Sequence, residues 1–260
     1  MTRFNNLEFD SEQPKKDQPS GASGPAPAAG APVRDERYYL EQALRHRLGG
    51  DFETALRLYS RALEQRHNLL AAWLGQLEML LDLGEYPEVL LWGDRALEVF
   101  PEHPDVFAAK ARACVRDERP VQGQEYSDNA MNQGKSGWVW LARGEVMLAR
   151  RSGVAQSCLG NALAAGGSET PLVRLEAGRI LNHYHQHRQA LEYLPKAVAE
   201  LPQSALAWYE FGLAQCRLGL SPGREALEQA LALRPEWPVA RQAWEKYGKK
   251  SFFGRLFGRR

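Results

Sequence analysis

Apolar positions of two sizes recur along this chain with a beat of 34 residues. Ala55 and Ala62 stand seven apart, and Ala62 is followed by Ala96 and Ala130. Tyr39 is followed by Trp73 and Phe107, Phe52 by Tyr86, Gly50 by Gly84, and His67 by Pro101. The pattern predicts helical pairs over roughly 36–69, 70–103, 104–135, 136–169, 170–203 and 204–235. Trp237, Ala240, Ala243, Trp244 and Tyr247 then mark a capping helix over 236–248. Pro87 suits the first turn of a second helix, Thr170 before Pro171 reads as an N-cap, and Ser221–Pro222 open another helix. Pro195 is expected to disrupt or kink the helix that contains it, since an interior proline removes a backbone bond. The third pair is thin in apolar residues between Asp117 and Gln124, and the fourth, with Trp138, Trp140, Ala155 and Ala162, follows the pattern most weakly.

An aromatic near the start of each period, small residues in its second half and proline at its end resemble the tetratricopeptide repeat (TPR) family. Small residues let two helices cross closely, the aromatic fills the gap between neighbouring pairs, and a breaker releases the chain into the next pair. The resemblance implies an all-α fold, an α-solenoid of about six repeats, and a binding role in place of catalysis. In the family the first helices line a concave face. Carried over, the partner groove is Leu40, Leu44, Leu74, Glu78, Leu81, Ala108, Arg112, Trp140, Met147, Leu175, Arg179, Asn182, Tyr209, Leu213 and Cys216. Such a groove, apolar with two arginines near its middle, suits an amphipathic helix or an extended peptide with a few acidic residues.

Charge divides the chain unevenly. The last twelve residues carry +5 and residues 1–35 carry −1, against a formal net charge of +1, which leaves the repeats near −3. A nucleic-acid groove along the repeats is therefore not expected. Residues 11–35 are rich in Pro, Gly, Ala, Ser and Gln with no large hydrophobe before Val33, a composition that reads as a disordered linker. Ahead of it, Phe4, Leu7 and Phe9 give residues 1–10 a small apolar face, either a docking peptide or simply an unstructured start. Cys114, Cys158 and Cys216 are widely spaced and odd in number, which fits reduced thiols and a cytoplasmic setting. No stretch reads as a signal peptide or a membrane span.

No catalytic constellation is legible, and no cofactor or metal is expected. The segment NAMNQGKS, 129–136, shares Gly134, Lys135 and Ser136 with a phosphate-binding loop, but it has Asn129 where that loop begins with glycine and it ends a helix. His183, His185 and His187 fall in an interhelical turn and read as polar turn residues. The cationic and asparagine set by which some TPR proteins hold a C-terminal carboxylate is replaced here by Leu40, Leu44, Leu74 and Gly75.

The C-terminal run GKKSFFGRLFGRR sets Phe252, Phe253, Leu256 and Phe257 on one stripe, beside Lys249, Lys250, Arg255, Arg259 and Arg260. Over about a dozen residues it resembles the C-terminal membrane-targeting helix of MinD-type division-site ATPases. The expectation is a non-enzymatic cytoplasmic scaffold or adaptor that holds a protein or peptide partner in its groove. Its tail would associate reversibly with an anionic membrane at the inner face. The alternative is an assembly or cargo component whose two terminal motifs dock into a larger protein complex.

Overall fold

The computed structural model describes residues 35–257, with side chains through Tyr247. The apolar segment 1–10, the linker 11–35 but for Asp35, and residues 258–260 lie outside the described residues, as do the side chains of 248–257. Thirteen helices occupy the described chain: α1 (Glu36–Leu48), α2 (Phe52–Gln65), α3 (Leu70–Leu83), α4 (Tyr86–Val99), α5 (Pro104–Arg116), α6 (Pro120–Gln133), α7 (Gly137–Ala149), α8 (Ala155–Ala165), α9 (Thr170–His183), α10 (His187–Glu200), α11 (Ala205–Arg217), α12 (Gly223–Leu233) and α13 (Pro238–Phe257). Consecutive helices pack as six antiparallel pairs, and α13 packs on α12 and α11. The fold is an all-α solenoid whose odd-numbered helices α1 to α11 form the inner wall.

Local chemistry sets the starts and stops. Asp35, Asp51, Ser136 and Ser204 each accept a hydrogen bond from a backbone N–H in the first turn of the helix that follows, at 2.9, 3.4, 3.1 and 3.1 Å. Prolines occupy the first or second position of α4, α5, α6 and α9, where no N–H is needed. Each turn inside a pair passes through a left-handed residue, in order Gly50, Gly84, Glu118, Arg151, His185 and Gly219. The beat of the sequence is thus also a beat in backbone dihedral angle.

Two expectations need correction. Thr170 does not cap α9: it is the first helical residue, and its hydroxyl donates to the Gly167 carbonyl at 2.8 Å within a 3₁₀ turn, Gly167–Glu169. Pro195 does not break its element either. α10 runs through it as one helix, with Leu194, Ala197 and Val198 buried around it. Tertiary packing of that apolar face outweighs the lost backbone bond.

Two main cores carry the stack. One runs from Ala43 to Ala113 and is centred on Trp73, Leu77 and Leu80; the other runs from Leu141 to Ala240. Leu48 and Phe52, from the first pair, pack against the second core, because the superhelix brings its beginning round to its end. The Ser204 hydroxyl donates to the Leu48 carbonyl at 2.8 Å, and Arg234 donates to the Gly49 carbonyl at 3.1 Å. Trp237 lies over Gly50, where a Cβ would meet its ring at 2.5 Å. The α6 helix contributes little, burying only Gly123, Ser127 and Ala130.

Candidate functional site

Because the superhelix is tight, the inner faces of all six first helices meet along its axis. Arg112, on α5, is 1% exposed and donates to three carboxylates from three other helices. Its Nη1 lies 2.8 and 3.0 Å from the two oxygens of Glu78, its Nε lies 2.7 Å from Glu145, and its Nη2 meets Glu176. Arg47 approaches Glu78 at 3.5 Å, and Arg116 holds the second oxygen of Glu145 at 2.6 Å. Arg179 ties Asp82 at 2.9 Å and Glu176 at 2.8 Å, with Glu210 at 3.6 Å. Asn182 completes the row by donating to the Glu210 carboxylate at 2.8 Å.

Removing these charges from water is costly, and only dense mutual pairing offsets it. Burial pushes the Glu145 carboxyl up, but Arg116 and Arg112 outweigh it and hold that group below its ordinary range. Burial acts on Glu176 likewise, and Arg179, Arg112 and Arg47 drive it far lower. At Glu78 and Glu210 burial wins instead, and both carboxyls titrate above their ordinary value despite Arg112 and Arg179. The balance explains the split: Glu78, Asp82, Glu145, Glu176 and Glu210 share Arg47, Arg112, Arg116 and Arg179, one acid more than there are bases.

The two arginines expected to meet acidic residues of a partner, Arg112 and Arg179, are therefore committed to the chain's own carboxylates. Glu78 and Asn182 belong to the same row. Leu81, Met147 and Leu175 are buried in the core, and Trp140 is half-buried between two core clusters. Tyr209 lies against Trp237 with ring centroids 4.9 Å apart and the planes tilted by 47°, and burial together with Glu210 pushes its hydroxyl up to about 12. Asp82, Glu145, Glu176 and Glu210 were not singled out from sequence. A signal was available: Arg47, Glu78, Arg112, Glu145, Glu176 and Glu210 recur 31 to 34 residues apart, with the sign alternating over the first four.

On either side of this charged plug the axis opens into a mouth. At the end where α3, α5, α7 and α9 begin, Leu40, Leu44, Leu70, Leu74, Trp138 and Leu172 enclose a cavity of about 400 Å³. Its floor is the Arg47–Glu78 pair, and the Arg47 guanidinium sits 5.3 Å from the centre of the Trp138 ring. Trp138 donates its indole N–H to Glu169, and Ser136 donates to Asp105, so two acids mark the rim. At the opposite end, a cavity of about 350 Å³ is polar, lined by Asp82, Arg116, Arg179, Asn182 and His183 together with Tyr209 and Leu213. Three of the expected leucines, Leu40, Leu44 and Leu74, thus share the apolar mouth, and Leu213 sits at the other.

The three histidines do not converge. His183 ends α9, His185 occupies the left-handed turn position, and His187 begins α10 with its ring nitrogen 3.2 Å from the Asn182 side chain. Among the described residues no group of three potential ligands is placed to hold a metal ion. Cys114 and Cys158 are buried and Cys216 is half-buried, all as free thiols whose titration is raised by burial. No described helix is long and apolar enough to cross a membrane.

No protein-family model matches the chain, and no curated protein sequence matches it. Solved structures do. The anaphase-promoting-complex hetero-tetramer of Cut9 and Hcn1 contains a chain that aligns with 82% of this one at TM-score 0.51 and 13% identity. The present chain spans only 43% of that protein's length. A thermophilic TPR protein of Thermus thermophilus aligns over 69% of this chain and 98% of its own, at TM-score 0.51 and 20% identity. A TPR protein of Parabacteroides merdae aligns over 84% and 86%, at TM-score 0.50 and 12% identity. The chain has the TPR fold: an α-solenoid of helix-turn-helix repeats with a helix capping its end.

Proposed function

We propose that this protein is a non-enzymatic scaffold that holds an apolar peptide or amphipathic helix of a protein partner at the apolar mouth. The observation that carries the reading is that mouth: half-buried Leu40, Leu44 and Leu74, with Trp138, facing a cavity that the chain's described residues leave open. A rigid aromatic anchor among leucines is the type of surface on which a few side chains supply most of the binding energy. The charged axis beneath it contributes rigidity, since most of its donors and acceptors are spent on each other. Leu74→Glu places a carboxylate in the mouth and is expected to abolish co-purification of partners that the wild type retains. Retention of the same partners would remove the mouth from the reading.

In this reading the basic aromatic tail, 249–260, adds delivery from the cytoplasm to the inner face of an anionic membrane. Each Lys or Arg contributes about 1 kcal/mol near an anionic leaflet. Partial burial of three Phe and one Leu adds roughly 1 kcal/mol each, less the cost of fixing those side chains on a backbone that α13 already holds helical through Phe257. The sum describes weak, reversible attachment. Flotation with anionic liposomes is expected to retain the wild type and lose a variant carrying Phe252→Ser, Phe253→Ser and Phe257→Ser; equal flotation would leave no membrane role for the tail.

A further inference from the structure

We infer that the apolar mouth is the docking site of the chain's own residues 1–10, which cover it in cis until a partner displaces them. The inference rests on the reading of that mouth as a peptide site. Placement supports it first. The chain enters the fold at Asp35, which caps α1, and Leu40 and Leu44 of the same helix are wall residues of the mouth. With 1.5 Å of rise per helical residue, Leu40 lies only about 8 Å along the axis from that cap.

Reach supports it next. A tether of 24 residues, the number between Asp10 and Asp35, has a reach of ~27 Å for a composition rich in Gly, Ala, Ser and Pro. The segment therefore meets the mouth without stretching its tether, at an effective concentration on the order of 1 mM. Chemistry supports it last. Phe4, Leu7 and Phe9 are, with Met1, the large apolar residues ahead of Val33, and three such side chains suit a cavity of about 400 Å³ walled by leucines and Trp138. Arg3, next to Phe4, is opposite in charge to Asp105 and Glu169 on the rim, while Glu8 and Asp10 fall on the tether side.

The test uses the full chain. Phe4→Ala, Leu7→Ala and Phe9→Ala together leave the repeats untouched and free the mouth. A fluorescein-labelled peptide of residues 1–12 is titrated, by anisotropy, into the wild type, into this triple variant, and into the triple variant with Leu172→Glu added. The peptide is expected to bind the triple variant, to bind the wild type about tenfold or more weakly because the tethered copy competes, and to lose binding to the glutamate variant. Leu40→Glu repeats the last arm at a second wall, with circular dichroism to establish that the helices remain.

Equal affinity for wild type and triple variant, no binding to the triple variant, or binding indifferent to both glutamates would overturn the inference. Sedimentation of the wild type distinguishes a second copy as occupant: a concentration-dependent dimer lost in the triple variant would put the segment in a neighbour's mouth and likewise overturn it. If the peptide fails while Leu74→Glu still releases partners, only the occupant in cis is wrong and the mouth keeps its proposed role.

Discussion

Arg112 shows what a single side chain is asked to do in this fold. It is nearly inaccessible and sits on Glu78, Glu145 and Glu176 at once, so its removal takes a shared partner from three buried carboxylates and leaves each with one arginine, Arg47, Arg116 and Arg179 respectively. Arg112→Met is expected to cost about 3–5 kcal/mol at pH 7 in denaturant unfolding. The deficit should shrink near pH 5, where these carboxylates take up protons. The pH response of the wild type follows from the two pairs of glutamates. Glu145 and Glu176 titrate low in the folded state, so their contribution is complete above the ordinary glutamate value of 4.5 and is lost as pH falls through their folded values. Glu78 and Glu210 titrate high, so their burden at neutral pH lifts as pH falls through their folded values towards the ordinary one. These four carboxyls together should therefore contribute most on the mildly acidic side and progressively less below 4.5, whereas His183 and His187, whose imidazoles burial holds below their ordinary value, oppose them as pH falls through the histidine range. The sequence pattern puts Glu78, Arg112, Arg179 and Asn182 on first helices, and the recurrence of Glu145, Glu176 and Glu210 is visible in it, but not which acid meets which arginine. Apart from the Arg179–Glu176 pair within α9, the partners come from other repeats, as far away as the Arg179–Asp82 pair at a separation of 97 residues. Which repeats meet depends on the radius of the superhelix, and no spacing within one repeat encodes that radius.

Elements were far more legible, because a helical hairpin is specified by neighbours in sequence. Aromatics, small residues and prolines at fixed offsets mark where helices cross and where they stop. The misreadings came where packing overrode local preference, as at Pro195 in α10, or where a short 3₁₀ turn moved a boundary by one residue, as at Thr170. The turns inside the pairs carry a further consequence. Gly50, Gly84 and Gly219 take the left-handed conformation without strain, whereas Glu118, Arg151 and His185 adopt it at φ of 58°, 56° and 59°. Glu118→Gly and Arg151→Gly are expected to stabilise the protein by roughly 0.5–1 kcal/mol each, a rise in Tm of about 1–4 °C, measurable by calorimetry. Gly50→Ala should do the opposite by about 2 kcal/mol or more, since it combines φ of 74° with a Cβ 2.5 Å from the Trp237 ring.

At the scale of the whole molecule, contact between the first pair and the sixth changes how the stack should melt. An open repeat array unfolds through partly frayed states because each unit touches only its neighbours. Here Leu48, Gly49, Gly50 and Phe52 are held by Ser204, Arg234, Trp237 and the second core, so the turn end of the terminal pair is anchored. Trp237→Ala is expected to uncouple it. Amide exchange in α1 and α2 should accelerate more than in α9 and α10, and the thermal transition should broaden. A uniform acceleration across all pairs would mean that the seam carries no special weight. The same seam also limits the evolutionary history open to this chain. Solenoids ordinarily lengthen or shorten by copying or deleting a hairpin, with little penalty beyond the new junction. Inserting one here would carry Leu48 away from Ser204 and slide each arginine on the axis past its acid, so the number of modules is tied to the circumference.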